Sequence, residues 1–197
     1  MKEAEKIERE SMRVVERMLS GYRLPEREVL KRVVHATAEP ELAGRVVFHG
    51  NAVEAGVSAI RDGCSMITDV EMVACGIRKD VLEGFGGRVK CYISSADVAE
   101  YARKCGITRA RASVMLHADE INGSIFVSGN SPTALDEVLE LCKPRFIIAA
   151  CVGFVGAAEV KERVLEGDTP AIVLRGRRGG SGVAAAIANA LLLLARR

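Results

Sequence analysis

Short β-branched runs alternate with helical stretches through most of this chain, and that alternation admits few folds. The runs are Val46 to Phe48, Ser65 to Thr68, Val89 to Ile93, Ser124 to Val127, Phe146 to Cys151 and Ala171 to Leu174. Helical patterns occupy Ala52 to Arg61, Ala96 to Lys104, Thr108 to Asp119, Pro132 to Cys142, Ala157 to Leu165 and Gly182 to Ala195. Parallel strands need crossover connections, and the crossover helices cover the sheet. The pattern predicts an α/β fold, a mainly parallel sheet covered by helices on both faces, with a helical N-terminal extension. In that extension Glu3 to Leu19 carries Ile7, Met12, Val15, Met18 and Leu19 at helical spacing, and Gly21 stops it. Pro25 opens a second helix bearing Val29, Leu30, Val33 and Val34, which ends near His35 to Thr37, before Pro40. No low-complexity linker and no internal repeat divides the chain, so a single domain over residues 1–197 is expected.

Composition narrows the function classes. With 49% hydrophobic residues and no tryptophan, the core is aliphatic and disorder is excluded. A net charge of +2 gives no bulk basic field for nucleic acid. The six cysteines form no CxxC pair and mostly lie in apolar runs, which predicts buried reduced thiols and no metal site. Met1 to Glu10 is highly charged and holds no apolar signal region. Val183 to Ala195 is too short to span a bilayer and contains Asn189, so no membrane association and a cytoplasmic location are expected.

Ligands of open α/β sheets sit beyond the carboxyl ends of the strands. Three strand-to-helix junctions there are rich in small residues: Ser128 to Thr133, Val152 to Ala157 and Arg175 to Gly182. Each is expected to offer free backbone N–H groups at a helix start, which favours anions. The third adds Arg175, Arg177 and Arg178, whose guanidinium groups suit carboxylates or phosphates. The candidate substrate contacts are therefore Asn130, Thr133, Gly153, Arg175, Arg177, Arg178, Gly179, Gly180 and Ser181. The dinucleotide and phosphate-loop fingerprints are missing, and Gly84-Phe85-Gly86-Gly87 precedes a strand and reads as a turn.

Of the three histidines, His35 follows Val33-Val34 at a helix end and is followed by small residues that leave room for something bulky. Histidine at a helix C-terminus is also ordinary capping. Asp69 can cap a helix beginning at Val70-Glu71-Met72, or hold His35 or an amine-like nitrogen of a ligand. His49 and His117 carry no assigned role.

Six blocks in order resemble one family. They are Glu10-Ser11-Met12, Val33-Val34-His35-Ala36, Thr68-Asp69-Val70-Glu71-Met72-Val73, Gly129-Asn130-Ser131-Pro132-Thr133-Ala134-Leu135, Val152-Gly153-Phe154-Val155-Gly156-Ala157-Ala158-Glu159 and Arg175-Gly176-Arg177-Arg178-Gly179-Gly180-Ser181. Together they span nearly the whole chain, which resembles the precorrin-8X and cobalt-precorrin-8 methylmutases. The resemblance implies an α/β homodimer with its site near the subunit interface. It implies a [1,5]-sigmatropic methyl shift from C-11 to C-12 of a corrin-type macrocycle, giving hydrogenobyrinic or cobyrinic acid without a cofactor. It carries the catalytic histidine onto His35, a serine onto Ser11 and a substrate-binding arginine onto Arg109. Departures are Ser131 where the family commonly has alanine, Val160 within Glu159-Val160-Lys161 where it has serine, and Arg78 in place of an expected threonine.

Two other readings share these clefts: a corrinoid carrier without catalysis, and a nucleotide or sugar-phosphate module using the Arg175 to Gly182 loop. The last helix, Val183 to Leu194, is apolar almost all round. Its burial requires the sheet on one side and another helix on the other, or a partner subunit.

Overall fold

The computed structural model describes residues 3–197. Two helices lead, α1 (Glu3–Met18) and α2 (Glu26–Thr37), followed by a 3-10 turn at Pro40–Arg45 and strand β1 (Val46–His49). Then come α3 (Ala52–Arg61), β2 (Met66–Thr68), α4 (Glu71–Gly76), α5 (Lys79–Glu83), β3 (Val89–Cys91), α6 (Ala96–Cys105), α7 (Arg109–Leu116) and α8 (Ala118–Ile121). The chain closes with β4 (Ile125–Ser128), α9 (Pro132–Leu141), β5 (Phe146–Ala149), α10 (Ala157–Glu166), β6 (Ala171–Leu174) and α11 (Ser181–Ala195).

The six strands lie in the order β1-β6-β5-β4-β2-β3, parallel except where β1 pairs with β6. Side chains alternate across a pleated strand, and each face of this sheet feeds its own core. Met66, Ile125, Val127, Phe146, Ile148, Ile172 and Leu174 meet α2, α3, α4, α5 and α11. Ile67, Phe126, Ile147, Ala149, Ala171 and Val173 meet α7, α8, α9 and α10. This is the expected sheet covered on both faces. Because β1 runs antiparallel, its first residue, Val46, pairs with the last of β6, Leu174. The end of α2 thereby arrives at the carboxyl edge of the sheet, where Glu39 pairs with Arg178 of the third junction.

Several expectations need correction. The helix expected over Thr108 to Asp119 breaks at His117, whose ring lies 3.7 Å from that of Tyr92. The short helix α5 is additional to the expected pattern, and α4, allowed for only as the helix that Asp69 could cap, begins at Glu71. Of the cysteines only Cys151 is buried, and Cys75 and Cys105 are exposed. Of the two expected ways to bury the apolar last helix, the first holds: it is covered within the subunit by α2, α3, α4 and the sheet. Its alanines are the reason: a methyl on Gly76 would stand 2.7 Å from Ala185 Cβ, and one on Gly129 would stand 2.9 Å from Ala184 Cβ. Asn189, the polar residue in that run, accepts from Arg78 N at 2.9 Å and donates to Gly76 O at 2.8 Å, closing the end of α4.

Candidate active site

The residues Ser11 and His35 meet in an apolar cleft of about 480 Å³ between α1 and α2. Ile7, Val14, Val15, Met18, Val34, Ala38 and Pro40 form its walls. Two carbonyls near the end of α2 are met without help from the histidine, and no hydrogen bond from the His35 ring to this end of the helix is formed. Ala38, left-handed at φ 56°, donates its N–H to Val34 O at 2.8 Å, and Thr37 Oγ1 donates to Val33 O at 3.0 Å. His35 is therefore no capping residue. Among the described residues no side-chain partner engages Ser11 or His35, and the imidazole is exposed.

The three junctions behave differently. Asp69, at the end of β2, is buried, and its Oδ2 accepts from the backbone N–H groups of Gly129 (3.0 Å), Asn130 (2.7 Å) and Ser131 (2.6 Å) and from Ser128 Oγ (3.2 Å). The N–H groups expected to be free for a ligand at the first junction are thus taken by the protein's own carboxylate. Nor does Asp69 cap α4: its N-cap is Val70, with no side-chain bond. Burial pushes the Asp69 carboxyl above the usual aspartate range, against the pull of those four hydrogen bonds. The second and third junctions are fastened by Lys161 on α10. This fully buried ammonium donates to Cys151 O and Arg178 O, both at 2.9 Å. Burial holds its pKa below the usual lysine value. Burial likewise lifts the neighbouring Cys151 thiol to about 11. Gly153 N donates to Arg177 O at 3.1 Å and Gly180 N to Ala150 O at 2.8 Å. A methyl on Gly179 would lie 2.1 Å from Ala150 O, so no side chain fits there.

Of the arginines of the third junction, Arg175 donates through Nε to both carboxylate oxygens of Glu162, at 2.9 and 3.1 Å. Arg178 pairs with Glu39, just beyond His35 in the chain, and so ties this loop to the end of α2. Arg177 has no ion-pair partner among the described residues. Ser181 opens α11, and its Oγ is buried without a hydrogen-bond partner. Arg109 opens α7 behind its N-cap Thr108, whose hydroxyl lies 3.2 Å from Thr133 Oγ1. Ser131 Oγ caps α9 by accepting from Ala134 N at 3.2 Å, which gives that departure from the family pattern a structural role. The candidates therefore form two groups. Ser11 and His35 share the α1–α2 cleft. Asn130, Thr133 and Arg109 sit at the end of β4, three strand spacings or about 14 Å from β1. The Arg175 to Ser181 loop lies between them.

Sequence reasoning missed Asp69's role, Glu39, Lys161 and the Phe154-Val155 tip. A signal for Lys161 was present: it falls among Ala157, Val160 and Val164, at the spacing of the buried stripe of α10. Phe154 and Val155 are 88% and 89% exposed on a loop beside the third junction.

Comparison with known proteins places these features in a lineage. A family model described as precorrin-8X methylmutase matches residues 6–194. A cobalt-precorrin-8 methylmutase of Methanocaldococcus jannaschii is 44% identical over 173 residues, covering 85% of this chain and 79% of that protein. Its counterpart in Priestia megaterium is 42% identical over 172 residues, covering 85% and 76%. A precorrin-8X methylmutase of Pseudomonas aeruginosa is 39% identical over 168 residues, covering 81% and 80%. The solved structure of the precorrin-8X methyl mutase of Thermus thermophilus matches with a TM-score of 0.87 at 34% identity, covering 96% of this chain and 97% of that one.

Proposed function

The chain belongs to the precorrin-8X methylmutase family, and from that premise we propose how its residues carry out the reaction. The protein is an isomerase of cobalamin biosynthesis that moves a methyl group from C-11 to C-12 of precorrin-8X or cobalt-precorrin-8. The observation that carries the site assignment is the pairing of an unengaged histidine with an unengaged serine in one apolar cleft. The walls suit the face of a large ring, and the two polar groups have no internal duty to leave.

The methyl migrates within one molecule, so the protein has only to favour the rearrangement. A proton or hydrogen bond delivered by His35 to a ring nitrogen near the migration terminus draws electron density toward it, and a transferred proton returns to the imidazole after the shift, so substrate and product remain isomers. Ser11 orients the ring or one of its carboxylates. Arg109, Asn130, Thr133 and the Arg175 to Ser181 loop receive carboxylates around the rim, with Arg177 the cation of that loop left unpaired by the described residues.

The whole chain acts as one domain in the cytoplasm, and two copies form a dimer. Support for the dimer is the exposed Phe154-Val155 tip together with Ile7, Met18 and Leu24, apolar surface that a monomer would leave wet. Among the described residues no helix is long and apolar enough to cross a membrane.

The test is spectroscopic. Incubated with precorrin-8X or its cobalt form, the parent protein converts substrate to the product chromophore. His35→Ala should lose at least about a hundredfold in rate, the scale of one general acid, while keeping its fold and its affinity for product. A variant that turns over near the parent rate would remove His35 from the chemistry. A parent that binds both corrinoids and converts neither would make the protein a carrier.

A further inference from the structure

The first helix separates its charges. Its carboxylates Glu8 and Glu16 face α2 and are matched there, Glu8 to Arg32 at 2.9 Å and Glu16 to Lys31 at 3.6 Å and Arg27 at 3.9 Å. Its cations Lys6, Arg9, Arg13 and Arg17 stand together on another face and pair with no described carboxylate. Arg9, Arg13 and Arg17 recur every four residues, and like charges at that spacing repel and weaken a helix. A surface helix has no folding reason to keep such a row, and rules of local consistency are broken where function asks for it.

The position of the row supplies the reason. With Glu10 and Val14 the four cations line an open recess of about 460 Å³. The same Glu10 and Val14 line the Ser11–His35 cleft, so the recess and the cleft share a wall. From residue 6 to residue 17 a helix advances about 16 Å, enough to run along one side of a four-ring macrocycle. The cations of the third junction are less available, since Arg175 and Arg178 are occupied by Glu162 and Glu39.

We propose that Lys6, Arg9, Arg13 and Arg17 form a rail that receives the peripheral carboxylates of the macrocycle while its ring enters the Ser11–His35 cleft. The proposal rests on the methylmutase reading for the identity of the ligand. Cationic groups on long stems reach outward, draw carboxylates by charge and leave the ring free to lie on Val14 and Ile7. The rail sets affinity and orientation; the proton still comes from the cleft.

The experiment titrates the full-length protein with the polycarboxylate product, cobyrinic or hydrogenobyrinic acid, and with its methyl ester, across a salt series. Three proteins are compared: the parent, a variant combining Arg9→Gln, Arg13→Gln and Arg17→Gln, and one with lysine at the same positions. Glutamine keeps helix propensity, so α1 survives the change. The glutamine variant should bind the acid roughly tenfold more weakly, as losing three exposed ion pairs predicts, with a flatter salt dependence. Its KM should rise in step while kcat moves less than about twofold. The lysine variant should stay near the parent, and the ester should bind all three proteins alike. Unchanged affinity and salt slope in the glutamine variant would overturn the rail, as would an equal loss in the lysine variant. A fall in kcat at constant KM would overturn it too. If the parent converts neither substrate, the methylmutase reading fails, and the titration still decides the rail separately.

Discussion

The carboxyl edge of the sheet and the α1–α2 cleft lie side by side and are built by opposite rules. At the edge, buried polar groups are largely spent internally: Asp69 gathers the 128–131 loop, Lys161 joins the ends of β5 and β6, and Gly180 N meets Ala150 O. In the cleft, Ser11 and His35 are engaged by nothing described, and the cations beside them are unmatched. The edge is a scaffold whose loops are held before a ligand arrives; the cleft is where interactions have been left unmade for one. A group that donates a proton to a substrate must not already be committed, whereas the loops that shape a rim gain from being fixed in advance.

The contrast is broken most severely at Asp69. Asp69→Ala strips three backbone N–H groups and the Ser128 hydroxyl of a common acceptor in a buried place. The expected loss is about 3–5 kcal/mol of folding stability, read as a lowered urea midpoint. His35→Ala, by comparison, should leave the midpoint where it was. An Asp69 variant as stable as the parent would mean that solvent replaces the carboxylate, and that the edge is no firmer than the cleft.

How much of this was legible beforehand follows the same division. The six strands, their alternation with helices and most of the helices could be read, because strand and helix periods are local properties of the chain; α5, the break between α7 and α8 and the antiparallel run of β1 could not. The His35 and Ser11 assignments came from motif resemblance, and the structure brings the two together from separate helices. The internal anchors could not be read. Asp69 looked like a cap because a short helix follows it, and only the β2–β4 pairing brings it to Gly129. Arg175 and Arg178 looked like ligand cations because Glu162 and Glu39 lie far off in sequence. The loop glycines suggested open backbone, yet Gly179 is glycine because Ala150 O leaves no room.

At Lys161 the effect is smaller and depends on pH. Lys161→Met keeps the volume and removes both hydrogen bonds and the buried charge, so at neutral pH a net loss of about 1–2 kcal/mol is expected. Burial depresses the folded-state pKa below the ordinary 10.5. Between the depressed value and the ordinary one the unfolded chain holds a proton that the folded chain has released. Raising the pH through that window therefore stabilises the parent, and the methionine variant lacks this gain. Urea titrations at successive alkaline pH values should show the parent drawing ahead of the variant. A gap that stays constant or narrows would show that the ammonium is not held in an unfavourable place.

The smallest effect should separate two neighbouring arginines. The guanidinium of Arg175 already serves both oxygens of Glu162, while that of Arg177 serves no described carboxylate. A carboxylate arriving with the substrate must displace Glu162 to reach the first and need displace nothing to reach the second. Arg177→Ala should therefore raise the dissociation constant for product several-fold, within the range of one exposed ion pair, and Arg175→Ala less than about twofold. The sharper version removes the competitor. Glu162→Gln keeps the shape of the side chain but takes away its charge, which releases Arg175 toward solvent. Product should then bind the Glu162→Gln variant about twofold more tightly than the parent at low salt, and the advantage should fade as salt is added. Combining Glu162→Gln with Arg175→Ala should cancel it, since the gain comes only from the freed guanidinium. If the double variant keeps the tighter binding, relief of repulsion between Glu162 and the ligand is the cause, and Arg175 belongs wholly to the scaffold.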